Sequence, residues 1–127
     1  MDKYTQYKKL PAAPILKKIT IKNPYMPDKN DDQKALIDSG ASRTVIPEYL
    51  INKLNLVPAG EVDVEGYKEG KEKHLTYFVD VEFKGFNFSY TEVIAVKRKN
   101  VLLGRDILNQ TILLLDGKKL SYDITDP

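Results

Sequence analysis

The stretch that decides the fold is Ala35-Leu36-Ile37-Asp38-Ser39-Gly40-Ala41-Ser42-Arg43-Thr44-Val45-Ile46-Pro47. Three apolar residues run directly into a carboxylate, a hydroxyl and a glycine, so a buried strand should end in a tight loop that presents Asp38. Glycine at position 40 lets the backbone turn sharply and lets another main chain come close. The Ser39 hydroxyl can bond to nearby backbone, and the apolar strand lowers the dielectric around the carboxylate, which makes its protonation negotiable. Taken alone, Asp-Ser-Gly also spells an ordinary turn.

Outward from this stretch, the chain reads as mostly strand. Upstream, Pro14 to Ile21 interleaves aliphatic residues with lysines, and Asn23-Pro24 followed by Met26-Pro27-Asp28 to Asp32 reads as a loop. Downstream, Pro47 suits the first position of a helix whose apolar face is Leu50, Ile51 and Leu54, and Pro58 and Gly60 stop it. Glu61 to Glu65 and Leu75 to Phe83 alternate in polarity around the polar turn Gly66-Tyr67-Lys68-Glu69-Gly70, which predicts a long hairpin with an exposed tip. Shorter strands follow at Phe86 to Phe88, Thr91 to Val96 and Val101 to Leu103, then one or two helical turns from Asp106 to Gln110. Thr111 to Leu115 and Lys118 to Ile124 should form a last hairpin turning at Asp116-Gly117. Many short strands plus one short helix predict a small, closed or partly closed, β-barrel-like domain.

Composition narrows the chemistry. The 127 residues, 42% of them hydrophobic and 30% charged, suit one compact core. With no cysteine and the single histidine His74, a thiol nucleophile, a Ser-His-Asp triad and a transition-metal site are all poorly supplied, so no metal and no cofactor are expected. Met1 to Leu10 has no continuous apolar run and no later segment approaches a bilayer's width, which predicts a cytoplasmic protein with no membrane partner. Residues 1–34 lean basic, but their lysines are scattered and the arginines Arg43, Arg98 and Arg105 lie elsewhere, so no nucleic-acid partner is expected. Lys97 to Lys99 reads as a solvated loop.

Some sixty residues after the first motif comes a second, Val101-Leu102-Leu103-Gly104-Arg105-Asp106-Ile107-Leu108. Apolar-apolar-Asp-Ser-Gly-Ala-Ser followed by apolar-apolar-Gly-Arg-Asp-Ile-Leu, with a hairpin between them, resembles the retropepsin-like aspartic proteases, the single-domain relatives of retroviral proteases. The resemblance runs from about Pro14 to about Leu120. It implies a mostly β acid-protease domain over residues 14–127, with residues 1–13 as an N-terminal extension and a flap over about 61–83. It also implies roles: Asp38 as the catalytic aspartate, Ser39 as the hydroxyl bracing two active-site loops against each other, and Gly40 and Ala41 in the loop that meets substrate. Gly66 to Gly70 would be the flap tip closing over a bound peptide, and Gly104-Arg105-Asp106 would support the loops from below.

Two positions depart from the family pattern. Ser42 stands where retroviral enzymes have a second aspartate that pairs with the later arginine, so Arg105 needs another partner. The flap tip Tyr67-Lys68-Glu69 is also poorer in glycine. If the resemblance holds, the chemistry dictates an oligomer, because aspartic peptidases need two carboxylates that share one proton and this chain carries one such motif. The second Asp38 then comes from a second copy on a two-fold axis, with an extended polypeptide substrate between flap and floor. The alternative is a non-catalytic module that keeps the fold for binding or dimerisation.

Overall fold

The structure is a computed structural model that describes residues 1–65 and 70–126, without the side chains of Glu65 and Lys71. Its strands are β1 (Asp2–Lys3), β2 (Ile15–Asn23), β3 (Met26–Ile37), β4 (Val45–Pro47), β5 (Pro58–Glu65), β6 (Lys71–Phe83), β7 (Phe86–Val96), β8 (Val101–Leu103), β9 (Ile112–Asp116) and β10 (Ser121–Thr125). Two short helices, α1 (Tyr49–Lys53) and α2 (Arg105–Leu108), complete a mostly β chain that is 59% strand and 8% helix. Seven strands pair in the order β2-β3-β8-β4-β7-β6-β5, and β2 also pairs with β6, so the sheet closes on itself. The smaller sheet, β1-β10-β9, is built from the two ends of the chain.

Closure creates the core. Ile19, Ile21, Ile46, Val79, Val81, Val93, Val101 and Leu103 are essentially inaccessible, together with Leu50 and Leu54 from around α1 and Ile107 from α2. The expected alternation along β6 holds for Tyr77, Val79, Val81 and Phe83, all buried, whereas Leu75 is 46% exposed on the arm of the β5–β6 hairpin. That hairpin pairs from Pro58↔Tyr77 to Glu65↔Lys71.

Local chemistry corrects the sequence reading at four places. The loop expected up to Asp32 is most of a twelve-residue strand, because Asn23 makes the turn by itself: its Oδ1 accepts from the N–H groups of Tyr25 and Met26, and its Nδ2 donates to the Leu54 carbonyl 2.8 Å away. With the turn so tight, β3 pairs with β2 along its length, and its polar residues other than buried Gln33 are exposed or half-buried. Pro47 ends β4 opposite Val96 rather than opening the helix, which begins at Tyr49. Phe86 to Val96 is one strand with a register shift, eased by Tyr90 at φ 50°. The last hairpin turns over the four residues from Gly117 to Leu120, with Leu120 at φ 50° and the Lys119 N–H bonded to Asp116 Oδ1.

Residues 1–13 are tied to the rest of the chain through Asp2, Lys3 and Tyr4 and to themselves through Thr5 and Ala13. Asp2 and Lys3 pair with β10, the Tyr4 N–H donates to the Leu120 carbonyl, and Thr5 and Ala13 bond each other through their backbones. Tyr122 of β10 fastens this sheet to the closed one, its buried hydroxyl donating to the Ile15 carbonyl at 3.1 Å. Burial, then the carboxylate of Asp2, pushes the phenol's pKa up to about 12. Tyr122→Phe should cost about 1 kcal/mol in urea unfolding, since it deletes one buried hydrogen bond and leaves the carbonyl unpaired.

Candidate active site

Asp38 is the first residue past the end of β3, at a point fixed from two sides. β3 and β8 run parallel with Ile37 opposite Leu103. The Asp38 N–H donates to the Leu103 carbonyl at 3.0 Å, and the Ile37 N–H donates to the Pro14 carbonyl at 3.0 Å. The loop then turns on itself: the Gly40 N–H donates to Asp38 Oδ1 at 2.9 Å, and the Ala41 N–H donates to the Asp38 carbonyl at 3.2 Å. A charge-assisted bond to a backbone amide orients the carboxylate and leaves Oδ2 free of any hydrogen bond among the described residues. Asp38 is half-buried, and Ser39 and Gly40 are exposed on the same lip.

Beneath the lip, the second motif holds the first by backbone. The Arg105 N–H donates to the Ala41 carbonyl at 2.8 Å, and the Arg105 guanidinium donates to the Ser39 carbonyl at 2.9 Å. Arg105 thus finds a main-chain oxygen where the family pattern would supply the carboxylate that Ser42 lacks. Gly104 is required by proximity rather than by a left-handed φ: a Cβ there would lie 2.6 Å from the Arg43 carbonyl carbon and 2.7 Å from its oxygen. Backbone atoms cannot move aside as the end of a side chain would. Gly40 is tight in a milder way, with the Asp38 carboxylate 3.2 Å from a Cβ built on it.

Asp106 works as a clamp. Its carboxylate accepts from the Thr44 N–H at 3.0 and 3.1 Å, from the Thr44 hydroxyl at 2.7 Å, and from the Ile107 N–H at 2.9 Å. The fully buried Thr44 hydroxyl in turn accepts from the Gly104 N–H at 3.1 Å. Sequence reading placed Asp106 among the supporting residues but did not single out Thr44. Its hydroxyl sits in an apolar run, Thr44-Val45-Ile46, and nothing local marks its partner 62 residues away. Arg43, also not singled out, donates to the Glu92 carbonyl of β7 at 3.2 Å and so ties the far side of the loop to the sheet.

The structure therefore brings Asp38, Ser39, Gly40, Ala41, Gly104, Arg105 and Asp106 into one compact unit. Of the flap residues, Gly66, Tyr67, Lys68 and Glu69 lie outside the described residues, and Gly70 sits at the hairpin end with φ 101°, a conformation that favours glycine. His74 lies on β6 with Nε2 3.5 Å from a Glu72 carboxylate oxygen, away from this unit.

Residues 28–110 match the family described as "gag-polyprotein putative aspartyl protease". No curated protein sequence matches the chain. Among solved structures, the protease of Simian Foamy Virus (mac) is similar with a TM-score of 0.56 at 22% identity, over 72% of this chain and 89% of that one. EIAV protease, solved with the inhibitor HBY-793, gives 0.55 at 21% identity, over 82% and 92%. A retropepsin-like aspartic protease from Rickettsia conorii gives 0.52 at 20% identity, over 74% of each chain. At these identities the likeness establishes a common fold.

Gly104→Ala should destabilise the chain by about 3 kcal/mol in urea unfolding, the upper end of what overpacking costs. Gly117→Ala, where a Cβ meets nothing within 4 Å, should stay within about 0.5 kcal/mol and serves as the control.

Proposed function

Because this chain belongs to the family of gag-polyprotein aspartyl proteases, within the retropepsin-like group, we propose that it is an aspartic endopeptidase that works as a homodimer. The observation that carries the reading is the Asp38 carboxylate itself, held at the end of β3 by the Gly40 N–H with its second oxygen free. Paired with Asp38 of a second copy, it supplies what peptide hydrolysis needs: two carboxylates sharing one proton. One takes a proton from the attacking water, and the other gives its proton to the oxygen of the scissile carbonyl. Collapse of the tetrahedral intermediate then breaks the C–N bond as the leaving amine is protonated. Gly40 and Ala41 form the floor against which substrate backbone lies, and the β5–β6 hairpin closes from above.

The surface of β9 supports the two-copy reading. This strand lies at the edge of the smaller sheet and follows three residues after α2, whose first residue bonds the Asp38 loop. Ile112 and Leu114 are each more than half exposed and Leu115 is 40% exposed, while Leu113 packs against the core. An apolar edge strand left bare invites pairing with another strand. Two copies related by a two-fold axis can meet there only antiparallel, self-complementary about one residue.

Asp38→Asn should abolish cleavage of a mixed peptide library, followed by mass spectrometry, while leaving the thermal transition and the molecular mass in solution unchanged. Cleavage at the wild-type rate by that variant would refute the assignment. In sedimentation velocity, Leu114→Lys should shift the protein from dimer to monomer and remove activity with it, because it buries an unpaired charge in the proposed contact. A wild-type chain that stays monomeric at high concentration would contradict the two-copy reading.

A further inference from the structure

A groove of about 940 Å³ opens where β8 stops short of β3, between the loop at residues 97–100 and the N-terminal segment. Lys17 of β2, Lys34 of β3, Arg98 and Lys99 line it, with Tyr7 and Tyr49 at its margins. None of these four cations has a carboxylate partner among the described residues. Asp32, which also lines the groove, is already engaged, 3.6 Å from the Lys18 ammonium and accepting from the Thr20 hydroxyl at 2.8 Å. The field in the groove is therefore positive.

The margins are ordered. Arg98 Nε donates to the Asn100 carbonyl at 2.5 Å, which orients the guanidinium within its own loop. Buried Gln33 donates to the Tyr49 hydroxyl at 2.6 Å, which fixes a ring that remains 50% exposed, and Tyr7, also lining the groove, is 44% exposed. We propose that this groove docks a carboxylate-rich stretch of the polypeptide substrate, away from the bond that is cut. Calling that polypeptide a substrate rests on the peptidase reading above. Lys34 lies on β3 four residues before Asp38, which follows directly after the strand's end, about 13 Å at strand rise, so a short extended peptide spans both. Three of the four cations are lysines, point charges without the planar fork that favours phosphate, and they suit carboxylates carried on flexible side chains.

Binding is measured on the Asp38→Asn protein, so that cleavage plays no part. The probe is a dye-labelled hexaglutamate peptide read by fluorescence anisotropy, with hexalysine and a hexathymidine oligonucleotide for comparison. Hexaglutamate should bind and hexalysine should not. Lys34→Glu/Lys99→Glu should weaken binding about tenfold or more, while Lys118→Glu/Lys119→Glu, the same charge change in the exposed β9–β10 turn, should stay within about twofold. Should the first double variant fail to fold by circular dichroism, Lys34→Gln/Lys99→Gln takes its place, with about threefold weakening expected. Absence of hexaglutamate binding, equal loss in both double variants, or tighter binding of the oligonucleotide would overturn the proposal. Wild-type protein that binds hexaglutamate in this way but cuts no peptide would overturn the peptidase reading alone.

Discussion

Arg43 and Gly104 meet at a distance that only backbone can occupy, and the architecture around Asp38 depends on that contact. With no side chain between them, the two motifs exchange hydrogen bonds directly: Asp38 to Leu103, Arg105 to Ala41, Thr44 to Asp106, and Gly104 to Thr44. Each is modest by itself. Together they fix the loop from beneath, mostly through residues that are half-buried or fully buried, Arg105 being the exposed exception. The lip is thereby rigid where the carboxylate sits and open above it, the combination that reactive groups require.

The same contact explains why the Ser42 departure is tolerated. An arginine facing an aspartate would add a charge pair at the loop's edge, but exposed pairs contribute little, on the order of 0–1 kcal/mol. Arg105 is exposed, and its bond to the Ser39 carbonyl keeps the geometric function, holding the loop down, without the second charge. The clamp at Asp106 lies further in, where a carboxylate satisfied by Thr44 and by the first turn of α2 matters more.

The tight loop that presents Asp38 was legible from three apolar residues running into a carboxylate, a hydroxyl and a glycine, whereas its pairing with Gly104-Arg105-Asp106 was legible only through the resemblance to retropepsin-like proteases. Thr44 was not, because its value lies in a partner 62 residues away and in complete burial, neither of which local pattern expresses. The extent of β3 was misread for a related reason. Pro27, Asp28 and Asn30 are turn formers by composition, yet Asn23 had already made the turn, so they continue a ribbon on which all three are exposed. Pro47 failed as a helix signal because its missing N–H is as harmless at the last position of a short strand as at the first position of a helix.

The smaller sheet has a consequence for how many molecules can join. Its order places two-residue β1 on the side of β10 opposite β9, and so short a strand is a poor template for a newcomer. If two copies pair through the five-residue apolar edge of β9, that pair is closed. Were Asp2 and Lys3 removed, β10 would present a second full-length edge, and self-association could pass from a closed pair to an open-ended ribbon. In a pair of copies joined through β9, Asp2 and Lys3 would thus cap the opposite edge of the sheet.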